Sequence, residues 1–505
     1  MNPLRQIDQN VLGMAMVALL ALASVITVFV APWQYACIIS CALPVLAAFF
    51  VRPEWGVYAL IVLIPFTTAS VYFYIKADWN FIIAKKGIDL IPVFAVVVLF
   101  TFGGYVLRRL SRVDTVVGNF IAVPVFLILL YAGLTVFGSD SFEHSLFQFM
   151  IFVMNVGIFF LVTAYIKDEA HLVIGVWCFV VSGMLQASLY IICFFFEPYT
   201  LIHKIMPGFF FIIQIVGGYF QSSGMPQVDG GFMDHHELAL LSNLLLPILV
   251  GLYLTRMDAL TKKILIGFML MFVLVVLKTQ SRAGIGSLMV MGSLAPLAFQ
   301  ATRKYFIRFF FMFVVAVLSI YIVENIAIGV ITNKYVTPRL WVLGAKMVAE
   351  KNVIDPGLKE KTGRMRLWKK AFKKYKAYFV EGFGVGNLKK YCDAPHAHSV
   401  FLSFLFDFGV MGVAVITFIV GAILMRFKFL LGYQTSYTQI MSIAFGVGLV
   451  AIGVHGQVDF EYNTSLLWLY LGLTVSSFRI AYEGIVENDS RVPGTRENTI
   501  QCVHG

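Results

Sequence analysis

The chain has 505 residues and a formal net charge of +11, with 60% hydrophobic and only 13% charged residues. A soluble globular domain carries about a quarter charged and about half apolar residues, so this composition excludes an ordinary soluble enzyme: the apolar surface needs lipid as its solvent. The positive charge is assigned first to loops that set membrane orientation, and no nucleic-acid partner is expected.

The polar stretch Met1–Asn10 precedes a first apolar run, Val11–Ala31, with no small-residue cleavage pattern after it, which predicts a retained span rather than a signal peptide. Further runs follow at Trp33–Val51, Gly56–Tyr74, Leu90–Leu107, Phe120–Phe137, Leu146–Ile166 and Leu172–Phe195. Others lie at Leu238–Leu254, Ile264–Leu277, Ile285–Phe299 and Phe309–Val323 and, after a long polar segment, at Val400–Leu424, Ile440–Val454 and Ser465–Ile480. Each is near the length that crosses about 30 Å of hydrocarbon, which predicts an all-α, polytopic membrane helical bundle of about 14 (12–14) transmembrane helices. The expected organisation is an N-terminal bundle over 1–323, a basic extracytoplasmic loop over 324–397, C-terminal spans over 398–482 and a tail over 483–505.

With the N-terminus inside, the inside loops hold Arg52, Arg108, Arg109, Arg112, Lys167, Arg256, Lys262, Lys263, Arg303, Lys304, Arg308, Arg426 and Lys428. The outside loops Gly138–Glu143 and Gly456–Asn463 have neither Lys nor Arg, as the positive-inside rule asks. Three outside exceptions are Lys76 with Lys85 and Lys86, Lys278–Arg282, and the loop Glu324–Ala397, which carries 15 Lys and Arg against 6 Asp and Glu. Long segments cross regardless of charge, but such a loop asks for an anionic partner. Within it Met365, Trp368, Phe372, Tyr375 and Phe379 recur at helical spacing, with Arg366, Lys369, Lys370, Lys373, Lys374 and Lys376 on the other face. This amphipathic helix suits a lipid headgroup surface; the plainer alternative is a surface helix with a solvated charged face. The aromatics of Glu197–His235 fit an interfacial belt or a platform for sugar rings. The six scattered cysteines show no metal-binding spacing.

Three outward segments carry unusual residues. Thr279–Leu288 places Arg282 at the expected start of a helix, where its charge and the helix dipole both favour an anion. Thr362–Ala371 leads to the turn Gly382-Phe-Gly-Val-Gly-Asn387, and Pro395–Gly412 places His398 just outside a span whose Gly409 and Gly412 suit close helix packing. Asp407 is nine residues beyond His398, on the opposite helix face, and is assigned to packing or an interhelical hydrogen bond.

Taken together these segments resemble the O-antigen ligase and polymerase superfamily of bacterial membrane glycosyltransferases. The family's ligases carry His followed by Asn, Ser or Gln, nine residues, then Gly-x-x-Gly, Thr or Tyr; His398-Ser399 and Gly409-Val-Met-Gly412 fit that pattern. Gly230–Ala239 is similar to the family's outward turn, except that His236 stands where Asn is usual. The resemblance covers about 225–290 and 362–412. It implies a donor glycan on undecaprenyl diphosphate, a glycan or lipid-linked acceptor, an extracytoplasmic active face on a bacterial cytoplasmic (inner) membrane, and no metal or other cofactor; the loop charges place both termini in the cytoplasm. On the resemblance, His398, Arg282 and Asp234 are the candidate catalytic residues. Arg282, Arg364 and Arg366 are candidates for the diphosphate, because a guanidinium fork matches phosphate oxygens. Trp368, His236 and His396 are candidate glycan or acceptor contacts. Asp234, His235 and His236 suggest a metal set only weakly, because no third ligand at helical spacing accompanies them. Polymerase, ligase to lipid A core and protein transferase stay open, with polymerase favoured. A transporter of lipid-linked sugar or a small anion is the reading of another class, disfavoured because the unusual residues gather at one face rather than at mid-depth.

Overall fold

A computed structural model describes residues 44–67, 93–111, 119–139, 141–196, 235–255, 257–279, 281–303, 363–392, 397–457 and 462–491, with residues 311 and 315. The expected span Val11–Ala31, nearly all of Phe309–Val323, the aromatic segment up to Asp234 and the first part of the basic loop lie outside them. Among the described residues every regular element is helical. In chain order these are α1 (Pro44–Val51), α2 (Pro53–Thr67), α3 (Val93–Ser111), α4 (Ala122–Phe137), α5 (Phe142–Tyr165), α6 (Glu169–Phe196) and α7 (His235–Leu254). There follow α8 (Ala259–Lys278), α9 (Arg282–Ala298), α10 (Gly363–Tyr375), the one-turn α11 (Leu388–Cys392), α12 (Val400–Leu430), α13 (Tyr437–His455) and α14 (Ser465–Arg491).

Six helices are long and apolar enough to cross a bilayer, in α5, α6, α7, α8, α12 and α13; α4 and most of α9 are apolar but shorter. With the resemblance described above, they make the chain an integral membrane protein. The expected count of about fourteen is not reached among the described residues. Of the expected spans Trp33–Val51 and Gly56–Tyr74, the described parts are α1 and α2, which meet in a pair bent by 120°. Pro53 opens α2, a position where its missing N–H costs nothing, and the chain turns at Arg52.

The helices sort by how much apolar surface they hide. α7 is buried over most of its length, with Leu238, Leu241, Leu245, Leu249 and Leu252 inaccessible. It packs against α13, α8 and α9; α13 packs on α14, and α14 on α5. α12 lies at the rim beside α4 and is among the least buried of the spans, as a lipid-facing helix is.

The bundle has two unlike ends. At one, Arg108 reaches Glu54 (3.2 Å) and the Val51 carbonyl (2.6 Å), and Arg426 lies over the Phe120 and Tyr482 rings. There too Arg479 donates to the last carbonyls of α5, Thr163 (3.1 Å) and Ile166 (2.7 Å), the partners a helix C-terminus lacks. The other end gathers the start of α5, the α8–α9 junction, α10 and α11, the start of α12, the end of α13 and the start of α14, tied by the bonds described next.

Candidate active site

The frame of this second end is a break in α12. Gly409 has φ 63 and ψ −159, a conformation that a side chain would oppose. The break interrupts the helical ladder, and the loop after α10 takes over the freed groups. Phe383 N–H donates to the Phe406 carbonyl (2.6 Å), Gly384 N–H to the Asp407 carbonyl (3.0 Å), and Val410 N–H to the Phe379 carbonyl (3.0 Å). Tyr375 also donates to the Phe379 carbonyl (2.9 Å), and burial pushes its phenol upward, so it stays a donor. The Gly-x-Gly-x-Gly turn exists for this contact: Gly382, Gly384 and Gly386 all have positive φ, and a Cβ on Gly382 would fall 2.5 Å from the Asp407 carbonyl carbon. The sequence reading placed Gly409 against a neighbouring helix; it packs instead on the Val380–Gly382 backbone.

Two buried polar side chains lock the turn. The Asp407 carboxylate accepts from the Tyr462 hydroxyl (2.7 Å) and from Gly386 N–H (3.4 Å). The Asn387 amide donates to Ser139 Oγ (2.7 Å), Ser145 Oγ (2.8 Å) and the Phe383 carbonyl (2.9 Å). The turn is thereby fixed to α4, α5, α12 and the segment before α14.

His398 sits above this frame with φ 54, the one non-glycine residue of positive φ among those described. Histidine tolerates this region better than most residues, but it still has to be held there. On one side the Trp368 indole N–H, from α10, donates to the Ala397 carbonyl (2.8 Å). On the other, Ser399 caps α12 by accepting from Leu402 N–H (3.3 Å), and Val400 N–H donates to the Gly456 carbonyl at the end of α13 (2.7 Å). The imidazole is half-buried.

A second cluster forms at the α8–α9 junction. Ser281 caps α9, accepting from Gly284 N–H (3.1 Å), and its Oγ also meets His236 Nδ1 (2.9 Å) from the first turn of α7. Asn243 on α7 donates to the Gly284 carbonyl (2.8 Å), and Gly284 rests on Ala239. Arg282 is therefore the first residue of α9, as expected from sequence, at the positive end of the helix dipole.

Helix geometry relates the clusters. Ser287 donates to the Ala451 carbonyl (3.2 Å), which sets α9 and α13 level at that point. From Ser287 back to Arg282, and from Ala451 on to Gly456, the rise is about 7.5 Å in each case. The start of α9 and the strap between Gly456 and Val400 thus reach the same depth at the same end of the bundle.

Of the sequence candidates, His398, Trp368 and His236 take part in these clusters, and Arg366 is exposed on α10. Arg282 and Arg364 are placed by their helices, while their side chains, and all of Asp234 and His396, lie outside the described residues. Among the described residues no three His, Cys, Asp or Glu side chains form a metal-binding group. Asp407, Asn387, Asn243, Ser281 and Tyr462 were not among the candidates. A polar residue inside an apolar helix is the signal that marks Asp407 and Asn243; Ser281 and Tyr462 carry none.

No curated protein matches the chain. Residues 266–417, from within α8 to within α12, match the family model described as O-antigen ligase. That stretch holds Arg282, the basic helix α10, the glycine turn, His398 and Gly409, and the match supports the resemblance to the O-antigen ligase and polymerase superfamily.

Proposed function

We propose that the protein transfers a glycan from undecaprenyl diphosphate to an acceptor hydroxyl at the extracytoplasmic face of a bacterial cytoplasmic membrane. The observation that supports this reading is that a histidine held at positive φ and a helix that starts on arginine lie at one depth and at one end of the bundle. The His398 imidazole would orient the acceptor hydroxyl and take its proton as the new glycosidic bond forms. The bond from the donor's anomeric carbon to the phosphate breaks, and the departing diphosphate carries the charge to be neutralised. Arg282, the first turn of α9, Arg364 and Arg366 supply that neutralisation. Trp368, His236 and His396 contact glycan or acceptor, and Asp234 assists as a carboxylate that positions the acceptor. No metal is assigned a part, and transfer should persist in a chelator.

Polymerisation of a surface polysaccharide is the favoured outcome. Ligation to lipid A core or to protein is the second reading, supported by the spacing of His398-Ser399 from Gly409 and Gly412. Purified protein supplied with lipid-linked repeats separates them: polymerase gives ladders, whereas ligase gives transfer only when core or protein acceptor is added. His398→Ala and Arg282→Ala should each lower transfer at least about 100-fold. Arg282→Lys should also lose most activity, because an ammonium cannot hold two phosphate oxygens in a fork. Normal transfer by both alanine variants at unchanged abundance would rule the reading out.

A further inference from the structure

Part of the apolar side of the basic helix α10 is packed inward. Leu367, Ala371 and Tyr375 are buried against Phe383 and Phe406, a small core shared by the loop and the start of α12. What the helix turns outward is the other face: Arg366, Lys369, Lys373, Lys374 and Lys376 are all exposed. From Gly363 to Val380 the chain has no Asp or Glu.

This face adjoins bare apolar surface. Phe372, Phe379 and Val380 are 44%, 55% and 57% exposed. The Phe379–Val380 turn is fastened at two points within the bundle: Val410 N–H donates to the Phe379 carbonyl (3.0 Å), and the Tyr131 hydroxyl, on α4, donates to the Val380 carbonyl (3.3 Å). Both anchors belong to helices whose outer sides are open, with Leu130, Leu134, Val410 and Met411 exposed beside them. The turn is therefore continuous with the lipid-facing wall.

We infer that α10 and the Phe379–Val380 turn form a docking rim for acidic phospholipid headgroups, with Phe379 and Val380 set among the acyl chains and the lysines on the phosphates. Lysine suits this partner better than a single ordered ligand would, because mobile point charges on long stems follow a fluid row of phosphates. The rim is stiff, since its inner face is packed, and it bears Trp368, whose indole holds Ala397 beside His398.

The test uses the full-length protein in nanodiscs of equal parts phosphatidylglycerol and phosphatidylcholine, reading retained lipid by native mass spectrometry. Wild type should retain phosphatidylglycerol in preference. The quadruple variant Lys369→Gln, Lys373→Gln, Lys374→Gln, Lys376→Gln should lose roughly tenfold of that preference, and the matching Lys→Arg variant should keep it. A fluorophore at Val380→Cys, in a background without other cysteines, should be quenched by brominated acyl chains. An unchanged preference in the glutamine variant, or an unquenched fluorophore, overturns the inference. So does a glutamine variant that keeps its phosphatidylglycerol but loses glycan transfer, since the lysines would then serve the donor. The lipid readouts need no transfer activity, so a failure of the proposed reaction leaves them able to decide.

Discussion

At the residue scale, His398 shows how an ordinary side chain is made special by its neighbours. Nothing in its own chemistry selects a φ of 54; the conformation is held by Trp368 on Ala397 before it and by Gly456 on Val400 after it. Trp368→Phe keeps most of the ring and deletes only the donor. It should cost about 1 kcal/mol of stability and lower transfer about 10- to 100-fold, because a displaced catalytic group loses far more rate than stability. Thermal unfolding and a transfer assay on the same preparation check both numbers; equal, small losses would leave Trp368 a packing residue. His398 was legible in the sequence because a spaced pattern, His-Ser then Gly-x-x-Gly, surrounds it. Trp368 was legible only as an aromatic at helical spacing, so its role as a clamp was not: a hydrogen bond between residues 368 and 397 has no local signature. Asp407 was set aside because it faces away from His398 on a helical wheel. In the fold the carboxylate reaches Tyr462 and the glycine turn.

At the element scale, the sequence shows runs of apolar residues but not where a run is broken. Val400–Leu424 reads as one span because hydropathy is blind to φ. The break at Gly409 becomes necessary only when the Phe379–Gly384 backbone lies against it, a partner some thirty residues away. Gly409→Ala sets a Cβ against the Val380 carbonyl at a backbone conformation that opposes it, and should cost about 3 kcal/mol or more. Gly421, in the continuous part of the same helix, has open space around it; Gly421→Ala should stay within about 1 kcal/mol of wild type. Thermal melts of the two variants in one detergent make the comparison, and similar melting points would mean that the break contributes nothing. The amphipathic pattern of α10 was likewise legible, but not that Leu367, Ala371 and Tyr375 turn inward while Phe372 and Phe379 stay exposed. Their partners, Phe383 and Phe406 from elsewhere in the chain, are visible only in three dimensions.

At the scale of the whole molecule, alternating the loops from an inside N-terminus separates the chain's charges as the folded bundle does. Arg52, Arg108, Lys167, Arg426 and Arg479 fall at one end, and the residues of the candidate site at the other. This much was legible because orientation charge is a property of composition loop by loop. For span number, six helices among the described residues are long and apolar enough to cross, and α1 and α2 meet in a bent pair. The proposed orientation makes a direct prediction for intact cells. In a background without other cysteines, Glu143→Cys should react with a membrane-impermeant maleimide, and Lys263→Cys should react only after the cells are opened. Labelling in the opposite sense would turn the protein over. The break in α12 has a mechanical consequence as well. A rod of 31 residues would be about 46 Å long if unbroken, longer than the hydrocarbon it crosses, and would pass every change of tilt to its upper end. Bonded to the loop at Gly409, the segment that carries His398 is fastened to the rim, while the rod below can lean as the bilayer thins or thickens. Transfer measured in bilayers of short and long acyl chains should therefore vary little, about twofold at most, across a range over which an unbroken lever would carry its tip out of register.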